Sequence, residues 1–137
     1  METAIEAAPT IPGEDFSRVG LSPSAVELLR LLWERHGPLM FHQSGGCCDG
    51  SSPMCFPAGE FRTGDSDIRL GVFALDDAAG APLGQIDFWM SREQFEYWKH
   101  TRLTVDVVAG RGSGFSVEAP EGKRFLIRSE IIEFPAS

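Results

Sequence analysis

The chain has 137 residues, 42% of them apolar and 10% aromatic, enough to build one hydrophobic core but too few for two. Twenty acidic residues against 12 basic ones give a net charge of -8, which argues against a nucleic-acid partner and against attraction to anionic membranes. No apolar run approaches the roughly 20 residues that would cross a bilayer, so no membrane partner is expected.

The first 20 residues carry Pro9, Pro12 and Gly13 with few large apolar groups, and read as a flexible arm. The start, Met1 to Glu6, lacks the positive charge and apolar stretch of a secretory signal. A cytoplasmic location is therefore expected, where thiols stay reduced. Residues 21–137 are expected to form a single α+β domain carrying a cysteine-rich loop over residues 41–57.

A helix is predicted from about Ser22 to His36. Ser22 can cap it and Pro23 suits its first turn. Val26, Leu29, Leu32 and Trp33 recur at helical spacing, Leu28 and Leu31 widen the stripe, and Gly37-Pro38 stops it. His36 falls at its C-terminus, where the helix dipole favours a cation.

Strands are predicted at Leu39–His42, Arg69–Leu75 and Leu83–Met90; in the last, Ile86 and Phe88 alternate with Gln85 and Asp87. Ser91 can cap a short helix, with Gln94 three residues on. Leu103–Ala109 and Phe115–Glu118 are expected to form a hairpin through a glycine-rich turn. Ala119-Pro120-Glu121-Gly122 signals another turn. Arg124–Ile132 is the last predicted strand, with Phe125, Ile127 and Ser129 on one face. The expected architecture is a mostly antiparallel sheet with one main N-terminal helix and one short helix.

The chain's three cysteines fall within nine residues, in the run Phe41-His42-Gln43-Ser44-Gly45-Gly46-Cys47-Cys48-Asp49-Gly50-Ser51-Ser52-Pro53-Met54-Cys55. An odd count fits poorly with a structural disulfide framework. Cys47, Cys48 and Cys55 offer thiolates, His42 an imidazole, Asp49 a carboxylate and Met54 a thioether. Three thiolates and one imidazole would complete a tetrahedral site. That set suits zinc or iron, and Met54 keeps copper(I) open. The spacing lacks a Cys-x-x-Cys pair, so convergence depends on the turns that Gly45, Gly46 and Gly50 permit.

The same residues support a second chemistry. Backbone N–H groups of the Gly-Gly-Cys-Cys turn can stabilise a thiolate, with His42 as its base and Asp49 orienting a histidine. Cys47, Cys48 and Cys55 are then all candidate nucleophiles, and a Cys48–Cys55 or Cys47–Cys55 disulfide is the easier one to close. The blander alternative is that the cysteines are small buried hydrophobes.

Elsewhere the readings are structural. His100 reads as a surface residue and a reserve ligand. Asp87 and Asp106 fit an exposed sheet face. Arg124 and Arg128 share a face and are expected to pair with carboxylates.

The cysteine run, together with Gly114-Phe115-Ser116-Val117-Glu118 and Pro120-Glu121-Gly122-Lys123-Arg124-Phe125-Leu126-Ile127-Arg128-Ser129, resembles the bacterial domain-of-unknown-function family 779. The likeness covers nearly all the chain after residue 20. It implies a small protein often encoded beside aldehyde dehydrogenase or alcohol-oxidation genes, hence an accessory role with such a dehydrogenase as possible partner. The resemblance brings no catalytic residues with it.

The resulting expectation is a metal-binding accessory protein using His42, Cys47, Cys48 and Cys55, with Asp49 in or near the site. The alternatives are a small thiol enzyme acting on an aldehyde or a disulfide, and an interaction subunit with a structural metal. Exposed sheet edges in a small chain point to a homodimer or larger assembly.

Overall fold

Two sheets enclose one core. The structure is a computed structural model and describes residues 5–11, 13, 17–43, 53–58, 64, 67–77, 79–98, 101–110 and 122–131. Among these, the chain forms strands β1 (Ile5–Glu6), β2 (Ala8–Pro9) and β3 (Val19–Leu21), helix α1 (Pro23–His36), and strands β4 (Leu39–Gln43), β5 (Met54–Pro57), β6 (Asp67–Asp76) and β7 (Pro82–Ser91). Helix α2 (Arg92–Trp98) and strands β8 (Thr101–Ala109) and β9 (Lys123–Ile131) follow.

The four-stranded sheet runs β1-β3-β8-β9 and the five-stranded sheet β2-β6-β7-β4-β5. Both are mixed, which corrects the expected mostly antiparallel arrangement. β3 lies parallel to β8, and β4 parallel to β7. Neither parallel pair joins consecutive strands: β5 and β6 intervene between β4 and β7, and α1, four strands and α2 between β3 and β8, so the chain has the length to return in the same direction.

The expected boundary at residue 20 falls inside β3, where Val19 and Leu21 are fully or almost fully buried. β1 pairs with β3 and β2 with β6, so the first described residues step from one sheet to the other at buried Ala7. This crossing needs Gly71, because a Cβ there would meet the Ala7 Cβ at 2.6 Å and the Ala8 carbonyl oxygen at 3.1 Å.

Helix α1 forms where the pattern predicts it. The Ser22 hydroxyl accepts the Ala25 N–H and donates to Asp106 Oδ1 at 2.7 Å, tying the helix start to β8. Gly37, at φ 78°, closes the helix with its N–H on the Trp33 carbonyl. Ala25, Val26, Leu28, Leu29 and Leu32 are buried, and α1 packs on β3, β6 and β8. Trp33 lies over Gly84 on β7, where no larger residue would fit.

The inner faces follow the strand period of two. Leu21, Val105 and Ile127 form one row across the four-stranded sheet, and Cys55, Phe41 and Phe88 one across the five-stranded sheet. The sheets meet where the Phe41 and Phe125 rings stack edge to face, 5.0 Å apart. β8 takes β9 as its antiparallel partner along its full length, from Thr101↔Ile131 to Ala109↔Lys123. The strand expected at Phe115–Glu118 lies outside the described residues. The Gly110 N–H donates to the Gly122 carbonyl at the mouth of this connection.

Candidate functional site

β4 is buried on both faces. Leu39, Phe41 and Gln43 face the core, while Met40 and His42, on the opposite face, are only 6% and 3% exposed. Strand register builds an outer row across four strands: Met54 on β5, His42 on β4, Trp89 on β7 and Arg69 on β6. The neighbouring row holds Phe56, Met40, Asp87 and Val72.

Within this face, His42 reaches over β7 to Asp67 on β6, and its Nε2 lies 2.7 Å from Asp67 Oδ1. The other carboxylate oxygen, Oδ2, accepts the Gly64 N–H at 2.9 Å. Partial burial pushes the Asp67 carboxyl up, but the hydrogen bonds from His42 and Gly64 and the attraction of the His42 ring outweigh it. Its pKa is lowered overall. An imidazole held by an ionised carboxylate has a fixed orientation, which both metal ligation and base catalysis exploit.

Of the residues singled out in the sequence, His42 and Met54 stand directly opposite one another on the outer face. Cys55 is opposite Phe41 and is fully buried in the core. Adjacent positions on a strand face opposite ways, so the sheet separates Cys55 from His42. Of the expected ligands His42, Cys47, Cys48 and Cys55, Cys55 therefore lies on the core face of the sheet and His42 on the outer face. Cys47, Cys48 and Asp49, with Gly45, Gly46 and Gly50, lie outside the described residues, as does His100. Residues 45–50 belong to the connection from β4 to β5, which leaves β4 one residue past His42, and His100 to the connection from α2 to β8. Among the described residues, no three His, Cys, Asp or Glu side chains form a group able to hold a metal.

Asp67 escaped the sequence reading because it is 25 residues from its partner and falls in an acidic stretch with no motif. Asp87 and Asp106, expected on an exposed sheet face, are both partly buried and paired with arginines. Asp87 lies 3.8 Å from Arg69, and Asp106 accepts from Arg128 Nε at 2.8 Å. Burial raises the Asp106 carboxyl, but the hydrogen bonds from Arg128, Ser22 and the Val107 N–H, with the Arg128 charge, leave its pKa lowered.

Asp67 also borders a cleft of 670 Å³ where β6 starts, β7 ends and α2 begins. Thr10, Arg69, Trp89, Arg92 and Phe95 line it. Among the described residues, no helix is long and apolar enough to cross a membrane.

Fold and site together define a two-sheet α+β domain with a carboxylate-anchored imidazole one residue before the end of β4. The family model for "Domain of unknown function (DUF779)" matches residues 28–131, most of the chain, and the protein belongs to that family. Neither the curated proteins nor the solved structures give a match to the chain.

Proposed function

We propose that this chain binds a transition metal on the outer face of the five-stranded sheet, through His42 and the thiols of Cys47 and Cys48, with Asp49 as a further donor. The observation that carries this reading is the His42–Asp67 pair. Metal-ligating imidazoles characteristically donate their second ring N–H to a carboxylate, which fixes the tautomer and raises the basicity of the ligating nitrogen.

Met54, directly across from His42, adds a thioether beside the imidazole. That favours copper(I) more than the cysteine count alone did, alongside zinc or iron. With Cys55 in the core, His42, Cys47 and Cys48 fill three positions of a tetrahedral site, and the fourth is open where Asp49 stays outside the shell. An open position suits metal transfer, sensing or substrate binding. The reading is completed by a role as cytoplasmic, homo-oligomeric accessory to an alcohol or aldehyde dehydrogenase, which rests on the genomic neighbourhood that the family implies.

A second reading draws on the same pair. His42, oriented by Asp67, takes the proton of a loop thiol, and the thiolate adds to the carbonyl carbon of an aldehyde. The proton then passes to the alkoxide, giving a hemithioacetal.

Elemental analysis of anaerobically purified protein, with thiols counted on the same sample, separates the two. About one equivalent of metal, with two thiols shielded until a chelator is added, supports the metal site. No metal after reconstitution with Zn²⁺, Fe²⁺ and Cu⁺, and reactive loop thiols, overturns it in favour of thiol chemistry.

A further inference from the structure

The cleft beside Asp67 combines positive charge with aromatic walls, in a chain whose overall charge is acidic. Arg69 and Arg92 bring two positive charges to its wall, against Asp67 as the acidic residue among the described lining residues, in a protein of net charge -8. The rings of Trp89 and Phe95 line the same cleft. Each ring carries a guanidinium: Arg69 lies 5.9 Å from the centroid of Trp89, and Arg18 5.4 Å from that of Phe95.

Arg69 is 44% exposed and sits 3.8 Å from an Asp87 that is 36% exposed. An ion pair so exposed and so long is weak, so a ligand anion can compete for the guanidinium. Both carboxylate oxygens of Asp67 already accept hydrogen bonds, from His42 and from the Gly64 N–H. A cleft of 670 Å³ with apolar walls and a few placed polar groups has the character of a small-molecule site.

We propose that this cleft binds a small monocarboxylate with an aromatic or medium-chain apolar body, its anion on Arg69 and Arg92 and its body against Trp89 and Phe95. Guanidinium groups bind carboxylates by paired N–H donors, and the rings supply the apolar contact. This binding requires neither a metal nor the loop thiols, so it stands or falls apart from the metal site. Asp67 joins the two, since one of its oxygens holds His42 while the residue borders the cleft.

The test is a titration of chelator-treated protein, followed by ¹H–¹⁵N NMR at the indole N–H of Trp89. Benzoate and octanoate are the probes, with benzyl alcohol and benzylamine as the neutral and cationic controls. The two carboxylates are expected to shift the Trp89 signal saturably, the controls to fail, and Arg69→Gln and Arg92→Gln each to weaken binding by roughly tenfold. Equal binding of benzyl alcohol would overturn the proposal by removing the charge recognition. Shifts confined to Trp33 or Trp98, or none at all, would overturn it by removing the site. The ligand series is read on the unsubstituted protein, so the outcome does not depend on either variant folding.

Discussion

His42 and Cys55 occupy adjacent rows of the same strand pair and project from opposite faces of the five-stranded sheet. His42 shares its face with Met54, Trp89 and Arg69, while Cys55 lies in the core beside Phe41. Cys55 is thus set apart from His42 by the sheet itself, and the proposed metal site draws on Cys47 and Cys48 instead. Cys55→Ala is expected to lose about 1–2 kcal/mol of stability, the cost of a small cavity, and to keep its metal. Denaturant titration and elemental analysis of the same preparation check both parts.

Asp67 anchors the imidazole without touching the metal in this account. Asp67→Asn keeps the shape but gives up the ionised acceptor. Metal affinity is expected to fall by about 10- to 100-fold, with the fold retained. Competition against a chromophoric chelator measures the change. An unaltered affinity would mean that the pair is purely structural.

Asp106 joins three elements: it accepts from Ser22 at the start of α1, from the Val107 N–H on its own strand, and from Arg128 on β9. Its carboxyl is lowered in the folded state, so its contribution is fully present above the ordinary aspartate pKa. It is lost as pH falls through the folded value. Asp106→Asn is expected to cost about 1–2 kcal/mol near neutral pH and to flatten the loss of stability below pH about 4. Urea midpoints measured from pH 7 down to pH 3 give both numbers.

Gly71 is where the N-terminal segment crosses between the sheets. Gly71→Ala forces the new methyl against Ala7 at 2.6 Å, and overpacking of this kind costs about 1–3 kcal/mol. The loss is expected to appear first as faster amide exchange at Ala7, whose N–H donates to the Val19 carbonyl across the crossing. A uniform change across the whole domain would show instead that the segment docks with the core as one unit.

Local chemistry made α1, α2 and the longer strands legible. Ser22, Pro23 and Gly37 mark the ends of α1, and the alternation of Ile86 and Phe88 gave β7 its buried face. The Ser91 hydroxyl accepts the Gln94 N–H as its spacing suggested. Partner choice was not legible. The parallel pairings β3–β8 and β4–β7 join residues 47 or more apart, and nothing in either strand's own sequence names its neighbour. β1 and β2 have two residues each, too short for alternation to register. His42 was recognisable from its place before the cysteines, but which of Phe41 and His42 faces Cys55 depends on register across a connection of ten residues. The pairing with Asp67 depends further on β7 lying between β4 and β6.

The most direct test of the central claim is the X-ray absorption spectrum of the zinc-loaded protein, which counts the donors around the metal. Two sulfurs at about 2.3 Å with an imidazole nitrogen at about 2.0 Å are the expected result, matching His42, Cys47 and Cys48 with Cys55 left in the core. Three sulfurs, or a shell with no imidazole, would contradict it.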